Sequence, residues 1–402
     1  MVNRRNFIFG VASLAVGSLL TGCSLAAGAL KVLVLEGSVP AEVLQSFRQQ
    51  SEASVRFQIV GQISSAFQQL QRWQQPADSE GFSLGRLLPW AQAQAAPSPD
   101  NLVSLGDYWL EDAIAQALIE PLELPQESLD KIPPSWQTFV RRDRSGQVDV
   151  SASADLASLS VWAAPYKVQT LVIAYRQSFF PESSSDAPPF KTWRDLLQPQ
   201  LRGQIALPEH PRLIIGLLQK MQGGSFNAPI EAAAAAQLQQ QFEQPFEALN
   251  NQVKAYDSTN SLKTLVNKDV KAVVAWSGEV VSALRRYQDL RVIVPEDGSL
   301  LSADLWVRPQ GAEMTAAAQE WIDFCWQQGP ATQISLSERG VSPVFLAEDA
   351  DIPLALADAR LPIATIQKSE PLLPIPAALQ ATYLELWQSL RSLHSSGALE
   401  SS

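Results

Sequence analysis

Leu30-Lys31-Val32-Leu33-Val34-Leu35, followed by Glu36-Gly37-Ser38-Val39-Pro40 and then Ala41 to Gln50, decides the fold. The first six residues form an almost unbroken apolar run, the pattern of a strand buried on both faces. Gly37 to Pro40 break it. Ala41 to Gln50 then places Val43, Leu44 and Phe47 on one helical face. Val55-Arg56-Phe57-Gln58-Ile59-Val60 alternates as a strand does, and Ser64 to Trp73 again reads as helix. Strand, helix, strand, helix in that order predicts an α/β sheet.

The pattern continues outward. Residues 75–100 are rich in Pro, Gly, Ala and Gln and read as a long surface loop. Asn101 to Gly106 is a strand, with Asp107 available as N-cap of the helix that follows. Val161 to Tyr175 reads as one long extended stretch. Thr192 to Leu197 is a short capped helix, and Leu201 to Pro208 a turn and a strand. Ala232 to Ala236 belongs to an Ala/Gln-rich helix. Val270 to Trp276 is a buried strand, and Gly278 opens a helix carrying Glu279 and Leu284. Strands over Leu290–Val294 and Ser302–Val307, a helix over 313–328 and a last helix from Ala378 to Leu393 complete the chain. No internal repeat is present.

The N-terminus is a targeting segment. Arg4-Arg5 precede an apolar run from Phe7 to Leu20, which ends in Leu20-Thr21-Gly22-Cys23. Basic start, apolar middle and small-residue end make a secretory signal over residues 1–22. The run is short of the ~20 apolar residues a spanning helix needs. Its ending resembles a bacterial lipobox, which implies lipid on Cys23. The arginine pair resembles a twin-arginine export signal.

The mature chain of about 380 residues exceeds what one core usually organises, so two domains are expected. The net charge of −11, from 41 acidic and 30 basic residues, disfavours nucleic acid and anionic lipid as charge partners. With Cys23 acylated, Cys325 has no disulfide partner, and its apolar surroundings predict a buried, inert thiol. The only histidines, His210 and His394, stand far apart, so no zinc-type ligand spacing and no Ser-His-Asp triad is expected. No serine sits in a Gly-x-Ser-x-Gly setting. The expectation is therefore a protein that is no enzyme and carries no metal or cofactor.

Several segments resemble one family. Thr192-Trp193-Arg194-Asp195-Leu196-Leu197 with Arg202-Gly203-Gln204-Ile205-Ala206-Leu207, and Pro165-Tyr166 leading into Val172-Ile173-Ala174-Tyr175, look like segments of type II periplasmic solute-binding proteins. Val273 to Gly278, Pro295-Glu296-Asp297-Gly298 through Asp304-Leu305, and Arg339-Gly340-Val341-Ser342-Pro343 match its later parts. The nearest resemblance is to the spermidine/putrescine binders. It implies a two-lobed α/β fold with a ligand cleft between lobes that close by a hinge. Lobe one would hold 30–170 and 302–345, lobe two 171–301 and 346–402. The implied role is a monomeric, membrane-anchored binding lipoprotein that delivers a small cationic solute, such as a polyamine, to an ABC-type permease.

The same resemblance nominates ligand-binding residues. Glu36 and Gly37 follow the first strand, and Asp107 and Tyr108 follow the strand ending at Gly106. Tyr166, Trp276, Ser302 and Asp304 complete the set. Carboxylates and aromatic faces suit a cation. The chain departs from the polyamine pattern where a tryptophan falls on Ser302, an aromatic on Leu35, and an acidic pair on His210 and Leu213. Structural alternatives stay open. Asp107 can serve as an N-cap, Trp276 as core, Asp304 as an ion-pair partner of Arg308, Tyr166 as a hinge residue, and Glu279 as an answer to a helix dipole. A ferric-iron binder of the same fold, through tyrosine and carboxylate oxygens, and a lipoprotein with a vestigial cleft are the competing functions.

Overall fold

A computed structural model gives the architecture and describes residues 29–75, 99–147, 159–183, 187–228, 230, 235–258, 260–337, 340–347, 349–358, 366, 369–373, 375 and 377–397. The expected export signal with Cys23, most of the expected 75–100 loop, Arg339 and the side chain of His394 lie outside the described residues.

Strand β1 (Leu30–Leu35) is buried on both faces, which is why its sequence is continuously apolar. Helix α1 (Ala41–Gln50) follows a Pro40 at its N-cap and buries Val43 and Phe47. Strand β2 (Val55–Val60) and helix α2 (Ile63–Gln74) repeat the unit. Both β2 and β3 (Leu102–Gly106) run parallel to β1. A single 3₁₀ turn over Asp107–Trp109 then leads into helix α3 (Leu110–Ala115).

The long apolar stretch is β4 (Ala164–Arg176), 13 residues that join two halves of one sheet. The later strands of this sheet are β5 (Ile205–Leu207), β6 (Val253–Tyr256), β7 (Ala272–Trp276), β8 (Leu290–Ile293), β9 (Leu300–Pro309) and β10 (Glu370–Pro371). The order is β2-β1-β3-β9-β4-β7-β5-β6. Up to Thr170, β4 pairs antiparallel with β9; from Leu171 onward it pairs antiparallel with β7 and then β8. The crossing is held by buried hydroxyls. Thr170 N donates to Ser277 Oγ at 3.1 Å, Thr170 Oγ1 donates to Leu300 O at 3.1 Å, and Ser299 Oγ donates to Leu171 O at 2.6 Å.

Helices α4 (Pro211–Met221), α5 (Ala235–Asn250) and α10 (Ala377–Gly397) cover one face of the second half. There Tyr383, Leu386, Trp387 and Leu390 repeat at helical spacing and are buried among Leu213, Phe226 and Phe246. Helices α6 (Ser261–Val266) and α7 (Ser277–Arg286) cover the other face. In the first half, α8 (Ala316–Cys325) drives Trp321 against Phe47 at 4.9 Å between ring centroids. The expected 313–328 helix ends at Cys325, and a separate helix α9 (Gln328–Leu336) follows. Cys325 is fully buried, and burial raises its thiol pKa well above the ordinary value. The Thr192–Leu197 segment is a 3₁₀ turn closed by a capping box between Thr192 and Asp195.

Candidate ligand-binding cleft

Strand register brings the ends of several strands together. Strand β3 ends at Gly106, opposite Asp304, and Asp304 is in turn opposite Lys167 on β4. Three residues further along β4 is Thr170, where the chain crosses. Strands β1 and β3 are parallel, so both point their carboxyl ends at that crossing. From the other side β7 ends at Trp276, opposite Leu171, and β5 runs parallel to β7. The carboxyl ends of both halves therefore converge, and ligands of open α/β sheets bind at such ends.

On the first half, Asp107 is the central group. It is 2% exposed. Ser302 Oγ donates to its Oδ1 at 2.9 Å, whereas Oδ2 has no partner among the described residues. The expected N-cap role falls to Gly106, because the Asp107 carboxyl group is turned across the sheet edge to β9. Burial pushes its pKa from the ordinary 3.8 to about 7. Ser302 and the N–H groups of Ala303 and Tyr108 oppose that rise, and the neighbouring Asp304 adds to it. Ser302 and Asp304 share one face of β9, and a bulge follows Asp304. Arg308 is engaged by Glu120 at 3.1 Å and by Glu123 at 3.7 Å.

Glu36 is exposed beside the cleft, and Gly37 adopts φ of +68° in the turn that closes β1. Tyr166 stands behind this loop. Its ring is fully buried and stacks on Trp306 at 4.1 Å, and its hydroxyl bonds Ser104 Oγ at 2.6 Å and Ser38 Oγ at 2.9 Å. Lys167 Nζ donates to the Ser38 carbonyl at 2.8 Å and to Ser337 Oγ at 2.8 Å. Tyr166 and Lys167 thus shape the loop carrying Glu36 and Gly37, and the Tyr166 ring meets no open space. Trp276 is half-buried against the second core.

Tyr108 reaches across. Its ring packs against the second half's core, and Gln380 Nε2 of α10 meets its hydroxyl at 3.5 Å. One turn along α10, the Tyr383 hydroxyl accepts from Arg212 Nη1 at 3.4 Å. Arg212 lies in the first turn of α4, beyond the end of β5. It is 6% exposed, and its Nη2 donates to Asn227 Oδ1 at 2.9 Å. Sequence reasoning did not single out Arg212, Gln380 or Tyr383. The available signal was Pro211 at the start of an apolar-periodic run, which marks a helix N-terminus. His210 occupies the N-cap position of α4. Among the described residues no group of three His, Cys, Asp or Glu side chains is placed to hold a metal ion.

The model of a bacterial extracellular solute-binding protein family matches residues 96–365. No curated protein sequence matches the chain. Among solved structures, a spermidine/putrescine ABC transporter substrate-binding protein from Streptococcus pneumoniae, PotD, superposes with a TM-score of 0.69. It is 17% identical, over 91% of this chain and 99% of that one. The Tp0655 (TpPotD) lipoprotein of Treponema pallidum gives 0.58 at 14% identity, over 90% and 99% of the two chains. A Trichodesmium protein (FutA) in complex with iron and citrate gives 0.55 at 12% identity, over 90% and 99%. At such identities the likeness establishes the two-lobed α/β fold.

Proposed function

The chain belongs to the bacterial extracellular solute-binding protein family, and from that premise we propose that it captures an amine-bearing cationic solute between two lobes and delivers it to an ABC-type importer. The observation that carries this reading is Asp107. A buried carboxyl oxygen without a partner, at the meeting point of the strand ends, is a place where an ammonium group replaces lost solvation. Glu36, Gly37, Tyr108, Trp276, Ser302 and Asp304 line the same region in this reading, and Tyr166 supports it from behind. The polyamine binder from Streptococcus pneumoniae supports an amine ligand for this fold.

Lobe one comprises 30–170 and 302–345, lobe two 171–301 and 346–402, with the hinge at Thr170/Leu171 and Leu301/Ser302. The change of strand partners at Thr170 supports this division. Cleavage before Cys23 and lipid attachment there hold the monomer beside its permease. The Leu20-Thr21-Gly22-Cys23 ending supports that step, as does the Treponema pallidum lipoprotein of the same fold.

Thermal unfolding of the soluble form beginning after Cys23 tests the reading, because a ligand that binds only the folded state raises Tm by mass action. Putrescine or spermidine is expected to raise Tm, with the shift lost in Asp107→Asn and reduced in Trp276→Ala and Asp304→Ala. A shift with ferric citrate alone, with colour in the protein, would replace the amine by iron, as in the Trichodesmium structure. No shift with any solute, in protein free of retained ligand, would leave the vestigial cleft.

A further inference from the structure

We infer that the ligand is a zwitterion, its amine held by Asp107 in lobe one and its carboxylate by Arg212 in lobe two. This inference rests on the cleft reading above and adds a second pole to it.

Arg212 is a buried cation with no carboxylate in ion-pair distance among the described residues. The one carboxylate that raises its pKa is Glu370. That carboxylate is already engaged by Lys220 Nζ at 3.5 Å and by the Phe226 N–H at 2.9 Å. Arg212 directs Nη1 to the Phe226 carbonyl and to Tyr383, and Nη2 to Asn227, while its Nε–H is buried and has no acceptor. An uncompensated buried charge is costly, and a ligand anion would remove that cost. The backbone points the same way. Helix α4 spans 11 residues and has no side-chain cap, so the N–H groups of its first turn after Pro211 and its positive dipole end suit an anion. His210, at the N-cap, has its pKa lowered by burial and then by Arg212. A diamine would put its second ammonium against that positive end.

Among the buried polar atoms without a partner, Asp107 Oδ2 and Arg212 Nε belong to residues at opposite ends of one contact chain. Tyr108 follows Asp107 in sequence and meets Gln380, and Tyr383, one helical turn along α10, meets Arg212. Lobe one thus offers an acceptor and lobe two a donor, each unsatisfied without a ligand that carries both charges.

The test compares ligands of matched length on the wild-type soluble chain by calorimetry and thermal shift. The series runs through ω-amino acids of two to six carbons, with the diamine, the monoamine and the carboxylic acid of each length. One amino acid in the series is expected to bind at least about tenfold more tightly than its diamine, monoamine and acid counterparts, as a charge-assisted hydrogen bond to a buried group requires. Arg212→Gln should abolish that advantage and leave amine binding in place. Should Arg212→Gln not fold, since Arg212 also anchors Phe226 and Asn227, the wild-type comparison decides alone. A diamine that equals or exceeds every amino acid overturns the inference and leaves the amine reading intact. An acid that binds as tightly as its amino acid overturns both, as does the absence of binding by every member of the series.

Discussion

Asp107 carries a large electrostatic consequence for a single residue. Its folded-state pKa is raised to about 7 by burial, above the ordinary 3.8 of the unfolded chain. Between those values the folded state keeps a proton that the unfolded chain has released. Stability of the ligand-free protein therefore falls as pH rises through that window, and the loss is complete above about 7. At ~1.4 kcal/mol per pKa unit the effect is about 4 kcal/mol at most. Urea unfolding of ligand-free wild type and Asp107→Asn at pH 4.5 and 7.5 measures it. The variant is expected to gain stability relative to wild type on going to the higher pH, and an equal pH response in both would remove the buried carboxylate from the account. The residue's place at a strand end was legible in the sequence, because a strand running into Gly106 announces a turn. Its burial was not, since that depends on Ser302, which lies nearly two hundred positions away.

Among the elements, the turn around Gly340 tests how the sheet is locked. Gly340 has φ of +132°, and Val341 pairs with Val168 on β4 through N–H···O bonds of 2.7 Å in both directions. A Cβ at position 340 would run into the Val168 carbonyl. Gly340→Ala combines that clash with an unfavourable backbone conformation and is expected to cost about 2–4 kcal/mol, read from the shift in the urea midpoint. A neutral result would mean the turn relaxes without loss. The element types were readable from periodicity. Strands buried on both faces appear as apolar runs, and the β1–α1–β2–α2 order specifies parallel pairing with helical crossovers. Element ends were less readable. Trp326 and Gln327 close α8 and start α9 by backbone bonding that leaves no side-chain signature. The start of α4 is marked in the sequence by Pro211 ahead of an apolar-periodic run.

For the whole molecule, the hinge reading predicts a change of shape. Small-angle scattering of ligand-free protein, before and after addition of a solute that raises Tm, is expected to show a smaller radius of gyration with ligand. The Thr170, Ser277 and Ser299 hydroxyl bonds would stay fixed while the lobes rotate about them. An unchanged radius would mean that the lobes already hold their bound arrangement, with Tyr108 against Gln380.

The sequence by itself determined the α/β class, the order of the units, the resemblance to solute-binding proteins and the acidic surface. These depend on local periodicity, composition and short motifs. Only the tertiary structure decided which charged groups are buried with a polar atom left unpartnered. Arg212 and Asp107 are more than a hundred residues apart, and no local pattern couples them. Their juxtaposition arises because β4 crosses from one half of the sheet to the other and turns the strand ends of both halves toward one point. Helix α10, the last among the described residues, meets Tyr108 and Arg212 from equally distant parts of the sequence.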